Sequence, residues 1–404
     1  DIGGPSMIRS AAKNHRSVTV VVDPEDYGAV LAEMRSGGGA VSVETRRRLA
    51  VKAFGHTAAY DAMIHAWLHR QFGTAEQPFP QQFTLANTLI QSLRYGENPH
   101  QRAAFYRDAG SAEPGIAAAL QRHGKELSFN NIIDANAAFE LVREFDEPAC
   151  AIIKHTNPCG CAVAEDLATA FQRAREGDPV SAFGGIVACN RVIDAATARA
   201  ITGEGCFFEV VVAPGFSADA MPLLTETKRW GADLRLLEVP NWTPEEAPQP
   251  THPGFDLKKV SGGLLVQERD VRRLSPAELT VVTRRAPDHT EMRDLLFAWS
   301  VVKHVKSNAI VLARDGMVVG VGAGQMNRVG SVEIAVKQAG ARAQGAVMAS
   351  DAFFPFPDGP EAAIRAGVRA IIQPGGSKKD TDSIAVADAN GVAMVFTGVR
   401  HFRH

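Results

Sequence analysis

Residues 148–160 read PACAIIKHTNPCG. The apolar run 149–153 has the length and character of a buried strand. It ends in Lys154 and His155, followed by a turn sequence, Thr156-Asn157-Pro158-Cys159-Gly160. A cation and an imidazole are thus delivered together where a strand leaves the core. Ligands of open α/β sheets bind beyond the carboxyl ends of strands. Adjacent side chains on an extended strand face opposite ways, so both can serve one site only if the strand ends there and turns. Histidine suits proton transfer near neutral pH. Lysine suits phosphate binding, oxyanion stabilisation or Schiff-base formation. The plainer reading also stands: a solvated lysine and a histidine bonded to a turn.

Outward from this stretch, apolar runs alternate with helical spacing. Strands are predicted at 151–153, 185–189, 210–212, 309–312, 318–321, 346–349, 370–372 and 393–396. Helices are predicted at 134–145, 167–176, 276–301, 331–344 and 360–366, the third with Ser275 as cap and Pro276 in its first turn. The alternation predicts α/β, with strands covered on both faces. Nearer the start, residues 18–22 read as a short strand, and a helix begins after Asp23-Pro24. Residues 43–72 carry apolar side chains at helical spacing. Residues 73–82 read as a linker, which places a domain boundary near residue 80. Residues 242–253 hold four prolines and read as an exposed loop. Lys154-His155 followed by Asn157, and Lys303-His304 followed by Asn308, form a weak internal echo that would suit a duplicated fold.

The bulk numbers exclude several classes. The chain has 404 residues, 45% hydrophobic and 22% charged, as in ordinary globular proteins. A formal net charge of −2 gives no basic stripe for nucleic acid or an acidic membrane. No apolar run approaches the ~20 residues that span a bilayer, and no secretory signal is read at the start. A first residue other than methionine suggests a fragment whose natural N-terminus lies upstream. The five cysteines, an odd number, suit reduced cytosolic thiols. Cys159 and Cys161 lack a matching Cys/His pair at zinc spacing, so no metal is expected.

Four further blocks can carry chemistry. Residues 93–101 (LRYGENPHQ) bring Arg94, a fork for phosphate or carboxylate, into a turn. Residues 319–328 (VGVGAGQMNR) hold glycines at alternate positions without the dinucleotide fingerprint. Residues 348–358 (MASDAFFPFPD) form an aromatic, proline-rich ledge between carboxylates, suited to a planar heterocycle or to core filling. The tail, 399–404 (VRHFRH), follows an apolar strand closely enough to be docked.

Together these blocks resemble the bifunctional purine-biosynthesis family of AICAR (5-aminoimidazole-4-carboxamide ribonucleotide) formyltransferase and IMP cyclohydrolase. The motifs RYGENPHQ, LSFNNIIDANAAFE, IIKHTNPCG, SAFGGIVACN, VKSNAIVLA, GVGAGQMNRV, MASDAFFPF and RHFRH run in the family's order over nearly the whole chain. The resemblance implies an N-terminally truncated member. Residues 1–80 would be the last part of a methylglyoxal-synthase-like cyclohydrolase domain. Residues 81–404 would be a transformylase of two cytidine-deaminase-like subdomains without zinc. It implies a cytoplasmic homodimer with shared active sites and 10-formyltetrahydrofolate as co-substrate.

Position by position, the resemblance implies His155 as general base, with Lys154 and Asn308 orienting substrate and stabilising charge. Either Lys154 or His155 would protonate the leaving folate nitrogen. Arg94, Tyr95, Asn131, Phe183, Gly184, Glu209, Phe353 and Arg400 would line the AICAR pocket. Glu209 stands where some relatives have Asp. Asn327, Arg328, Phe356 and Asp358 would contact folate. Asp1 and Lys13 match cyclohydrolase positions, but other parts of that site have no counterpart, so ring closure by this chain is not expected. Some relatives bind potassium near the Asn308 segment through hydroxyls. Here Val305 and Ala309 replace those hydroxyls, and the Lys306 ammonium is expected to replace the ion. Two rival readings are a pyridoxal-phosphate enzyme with Lys154 as its Schiff-base lysine, and a non-catalytic nucleotide sensor.

Overall fold

The structure is a computed structural model that describes residues 2–73, 78–109, 113–240, 242 and 254–404. The chain divides into two compact units, residues 1–92 with 104–113, and residues 93–103 with 114–404.

The first unit is built on α1 (Gly3–Lys13), α2 (Tyr27–Ser36) and α3 (Val43–Phe72). Ser42 caps α3 by accepting from Thr45 N. Only one edge of this long helix is buried: Ala50 and Ala53 pack on Ala12 and Val20, and Leu49 packs with Val30 and Val41. Residues 18–22 are extended and bury Val20, but they are not a strand, because no neighbour completes a ladder among the described residues. Asp23 caps the turn at Pro24 and, with Asp26, binds the Lys52 ammonium.

The second unit holds a twelve-stranded sheet. Its strands are β1 (Leu120–His123), β2 (Ala149–Lys154), β3 (Asn157–Val163), β4 (Gly185–Cys189), β5 (Phe208–Ala213), β6 (Arg235–Glu238), β7 (Thr280–Val281), β8 (Ile310–Arg314), β9 (Met317–Gly322), β10 (Val347–Ser350), β11 (Ala370–Gln373) and β12 (Ala393–Phe396). The spatial order is β7-β12-β11-β10-β8-β9-β3-β2-β4-β5-β6-β1. Read outward from the seam between β3 and β9, the two halves have one topology. Each begins with an antiparallel hairpin (β2–β3, β8–β9), adds an antiparallel strand and two parallel ones, and ends on an antiparallel edge. The seam is antiparallel, pairing Met317 with Ala162. The two hairpin turns therefore lie at opposite ends of the sheet.

The duplication extends to single residues. Helices α4 (Phe129–Val142) and α6 (His289–Val302) precede the two hairpins, and each opens with a capping box, Ser128/Asn131 and Asp288/Glu291. Helices α5 (Leu167–Gly177) and α7 (Arg328–Ala339) follow them, capped by Asp166 and Asn327. Gly160 of β3 and Gly320 of β9 sit under these helices. A Cβ at Gly160 would lie 1.9 Å from Ala174 O, and one at Gly320 would lie 2.2 Å from Ala335 O. Each half has its own core, Ile152, Phe171, Val187 and Phe208 in one, Ile310, Met348, Phe354 and Ile371 in the other.

Three predicted elements need correction. The segment 157–163 is a central strand, not only a turn. Pro158 stands opposite Ile153, beside a register shift that leaves Cys159 as the extra residue on β3. The predicted helix 276–301 is a short 3-10 turn at Pro276–Glu278, the edge strand β7, and then α6. Pro287, just before the Asp288 cap, starts α6 afresh. The echo between Lys154-His155 and Lys303-His304 is not the true correspondence. Glu144 and His304, which stand 160 residues apart, bond to each other, and the same offset relates the two helix caps and the two strand glycines. Lys154-His155 therefore matches Arg314-Asp315, and Lys303-His304 matches Arg143-Glu144. The expected loop 242–253 lies, Trp242 apart, outside the described residues.

Candidate functional site

The β2–β3 hairpin presents the site. Lys154 pairs with Asn157, so His155 and Thr156 are a two-residue connection. Their φ angles are 50° and 63°. Such a left-handed pair matches the twist of a hairpin but costs a side-chain-bearing residue roughly 1–2 kcal/mol. Asp134 of α4 offsets this: its carboxylate accepts from His155 N at 3.2 Å and from Thr156 N at 2.7 Å. The His155 imidazole is exposed and, among the described residues, has no hydrogen-bond partner.

Lys154 donates to the carbonyls of Phe183 and Gly184, both at 3.0 Å. Two of its three ammonium protons are thus held, and one remains for a ligand. Gly184 has φ 70°, which favours glycine, and a Cβ there would lie 3.1 Å from Lys154 Nζ, crowding the ammonium. Phe183 is exposed and packs on Phe207 at 5.2 Å between centroids.

Asn157 ties this turn to the other half by accepting from Lys306 N at 3.1 Å. Asn308 follows, after a cis Ser307–Asn308 peptide. Its Nδ2 donates to Gln325 O at 2.7 Å, and its Oδ1 accepts from Arg328 Nη2 at 2.7 Å. The amide is therefore fixed in orientation, with one N–H left over. Beneath it, Arg328 forms a buried ion pair with Asp351, which also accepts from Ser307 Oγ and Ala309 N. The tail is docked here: Ser307 N donates to Arg403 O, and His401 N to Asp351 O. Lys306 itself is exposed.

The other expected residues fall into separate groups. Asn131 is buried and donates to Glu209 at 3.0 Å, and Arg235 stands 3.8 Å from the same carboxylate. The extra methylene of Glu209 is accommodated by this pair. Phe353 and Phe356 are exposed, while Phe354 between them fills the core. Arg400 is exposed and stacks on Phe402 at 4.5 Å. Arg94 is exposed beside the half-buried Tyr95, 5.6 Å from its ring. Asp358 opens the helix Asp358–Arg365 and is exposed. Asn327 spends its Oδ1 on Gly330 N as the α7 cap. Of the residues expected at folate, Arg328 is a buried strut under Asn308. Lys13, the last residue of α1, is exposed in the first unit, and Asp1 lies outside the described residues.

Sequence reasoning missed Asp134 and the anchoring role of Asp351. Asp134 had a visible signal, a lone acid within the apolar stretch Ile132-Ile133-Asp134-Ala135. Asp351 was legible only as a carboxylate beside the aromatic ledge.

The opposite end of the sheet carries the counterpart turn, Asp315-Gly316. It borders a cavity of about 900 Å³ with the lead-in to β2 and the lead-out of β3. Near it, Glu144 receives Lys303 Nζ at 2.8 Å and His304 Nε2 at 3.1 Å. Burial alone would raise the Glu144 carboxyl, but His304 and the Lys303 ammonium more than offset it and hold it at about 2. Burial lowers the His304 pKa despite Glu144. Arg403 donates to His304 Nδ1 at 3.2 Å, which fixes the neutral tautomer with its proton on Nε2. Lys303-His304 is thus a structural clasp. Cys159 and Cys161 are buried in β3, and burial pushes the Cys159 thiol up to about 12. Among the described residues, no His/Cys/Asp/Glu group is arranged to hold a metal, and no helix is long and apolar enough to cross a membrane.

A family profile described as AICARFT/IMPCHase bienzyme matches residues 11–338. The chain is 53% identical over its whole length to the bifunctional purine biosynthesis protein PurH of Oceanobacillus iheyensis. It is 54% identical to the proteins of that name from Bacillus cereus (strain AH820) and Thermoanaerobacter sp. (strain X514). It covers 76% of the length of each. The order of the motifs, the paired halves and these matches agree: the chain belongs to the AICARFT/IMPCHase bienzyme family.

Proposed function

We propose that this enzyme of purine biosynthesis transfers the formyl group of 10-formyltetrahydrofolate to the 5-amino group of AICAR at the Lys154–His155 turn. The supporting observation is the Asn157–Lys306 bond, which ties the turn that carries the exposed His155 imidazole to the segment that leads into the rigidly held Asn308 carboxamide. His155 takes a proton from the amine as nitrogen attacks the formyl carbon. Negative charge then develops on the formyl oxygen. The leftover N–H groups of Lys154 and Asn308 are preorganised donors for that oxygen. The C–N bond to folate breaks as His155 returns its proton to the leaving nitrogen, giving formyl-AICAR and tetrahydrofolate.

Arg94, Tyr95, Asn131, Phe183, Gly184, Glu209, Phe353 and Arg400 bind AICAR in this reading. Asn327, Phe356 and Asp358 contact folate, with Arg328 acting through Asn308. Residues 1–80 belong to the cyclohydrolase domain, methylglyoxal-synthase-like, and residues 81–404 to two cytidine-deaminase-like subdomains, which the duplicated sheet supports. The active enzyme is a homodimer. The hairpin of Phe255–Val260 and Gly263–Glu268 leaves Leu257, Val260, Leu264 and Leu265 exposed, a surface suited to a second copy. The Lys306 ammonium takes the place of potassium, so removing potassium leaves the rate unchanged; a rate that collapses contradicts this.

The test is tetrahydrofolate release, followed by absorbance with AICAR as acceptor. The chain releases tetrahydrofolate only when AICAR is present, and His155→Ala lowers turnover by at least ~10²-fold. Release that ignores AICAR contradicts the reading.

A further inference from the structure

We propose that Asp134 is a positioning residue for formyl transfer, holding the His155–Thr156 turn in the backbone conformation from which the imidazole meets the amine. The inference rests on the reading of His155 given above.

The argument comes from the duplicated half. Both hairpin turns are left-handed at both positions, with φ 50° and 63° at His155-Thr156 and 54° and 69° at Asp315-Gly316. Both are clamped from the same place on the preceding helix. Asp134 accepts from His155 N and Thr156 N, and Asp294 accepts from Asp315 N at 2.6 Å and Gly316 N at 2.8 Å. The turns differ in what their own residues prefer. Asp-Gly is a favoured sequence for this turn type, because glycine has no Cβ to clash and aspartate tolerates positive φ. His-Thr is not, and a β-branched residue at positive φ is an outlier. Thr156 adds one local bond, Oγ1 to His155 O at 2.7 Å. The clamp therefore assists a turn already favoured at Asp315-Gly316, whereas at His155-Thr156 it imposes the conformation. Chemistry that needs an imidazole at this position makes the clamp necessary.

Asp134→Asn keeps the size but leaves one acceptor, and its amide NH₂ meets a backbone N–H. Asp294→Asn makes the same change where no chemistry is proposed. Thr156→Gly restores the turn's own preference without the clamp. The measurements are kcat and KM for tetrahydrofolate release, with the thermal midpoint of each variant. Asp134→Asn is expected to lower kcat by about 10-fold to 100-fold while KM for AICAR stays within about 3-fold. Asp294→Asn also lowers the midpoint, by no more than Asp134→Asn does, but keeps kcat within about 2-fold. Adding Thr156→Gly to Asp134→Asn recovers at least about 5-fold in kcat. If Asp134→Asn alone does not fold, the double variant carries the test, since it does not depend on the clamp.

The inference is overturned if Asp134→Asn keeps kcat, if Asp294→Asn loses as much, or if a folded double variant shows no recovery. His155→Ala separates this from the underlying reading. Full activity without the imidazole removes both, whereas loss in His155→Ala with none in Asp134→Asn removes only the role of Asp134.

Discussion

The hairpin Lys154–Asn157 and its counterpart Arg314–Met317 share topology, clamp and backbone conformation, yet only the first carries the lysine and imidazole proposed for catalysis. At the first, a lysine is held by two carbonyls beside an exposed imidazole, and Asn157 of the same hairpin accepts from Lys306 N, two residues before Asn308. At the second, Arg314 donates to Gln344 O, and the turn residues are Asp and Gly. The comparison teaches that the scaffold supplies the turn twice and that chemistry depends on which side chains the turn displays. It also shows a cost: the turn with the functional residues has the sequence less suited to its conformation.

The largest effect expected is in catalysis, on one side only. Lys154→Met should lower kcat by about 10²–10³-fold, the loss typical of a removed oxyanion donor. Arg314→Met should leave kcat within about 2-fold. Comparable losses in both would mean that the halves share the chemistry.

The next effect should be symmetric. Gly160→Ala and Gly320→Ala each push a methyl into a helix carbonyl, at 1.9 Å and 2.2 Å. Each is expected to destabilise by about 3 kcal/mol or more, read from denaturant midpoints. A large effect at one and none at the other would break the structural equivalence of the halves.

The smallest effect is pH-dependent and tests the clasp where the halves meet. His304 has its pKa lowered by burial, so below pH ~6.5 the unfolded chain binds a proton that the native state refuses. Glu144 is held at about 2, so its stabilisation is complete above pH ~4.5 and is lost as pH falls toward 2. Both terms have one sign. The thermal midpoint should fall on acidification from pH 7 to 5, and more steeply below ~4.5. His304→Gln should flatten the first part and also soften the second, because His304 is one of the groups that hold Glu144 low. A midpoint that rises on acidification contradicts the assignment.

Much of this was legible in the sequence where one face or one residue type decides. Residues 185–189, fully buried and apolar, are β4, and 393–396 are β12. The helix at 43–72 is α3 to the residue, bounded by Ser42 and Gly73. The edge strand β1 and its neighbour β6 were not legible, because both are short and β1 is largely exposed. The strands Asn87–Leu93 and Phe255–Val260 were missed because they too are largely exposed. Strand β3 was hidden by Pro158, which stands beside a register shift that only the pairing reveals. The helix Asp380–Ala389 lacks a one-sided apolar pattern, burying only Ser383 and Ala387. At the site, Lys154, His155 and Asn308 were readable as chemical types. Their mutual placement was not, because it depends on Asn157, Asp134 and Asp351, each acting across a long sequence separation. The duplication was suspected from Lys-His echoes, but it is carried by Asp134 and Asp294, Gly160 and Gly320, and the two capping boxes.

The most direct measurement is kcat for tetrahydrofolate release in His155→Asn beside Asp315→Asn. Asparagine tolerates positive φ, so both turns keep their backbone and only the displayed group changes. The account predicts a loss of at least ~10²-fold in the first and less than ~2-fold in the second. Equal rates in the two variants would contradict it.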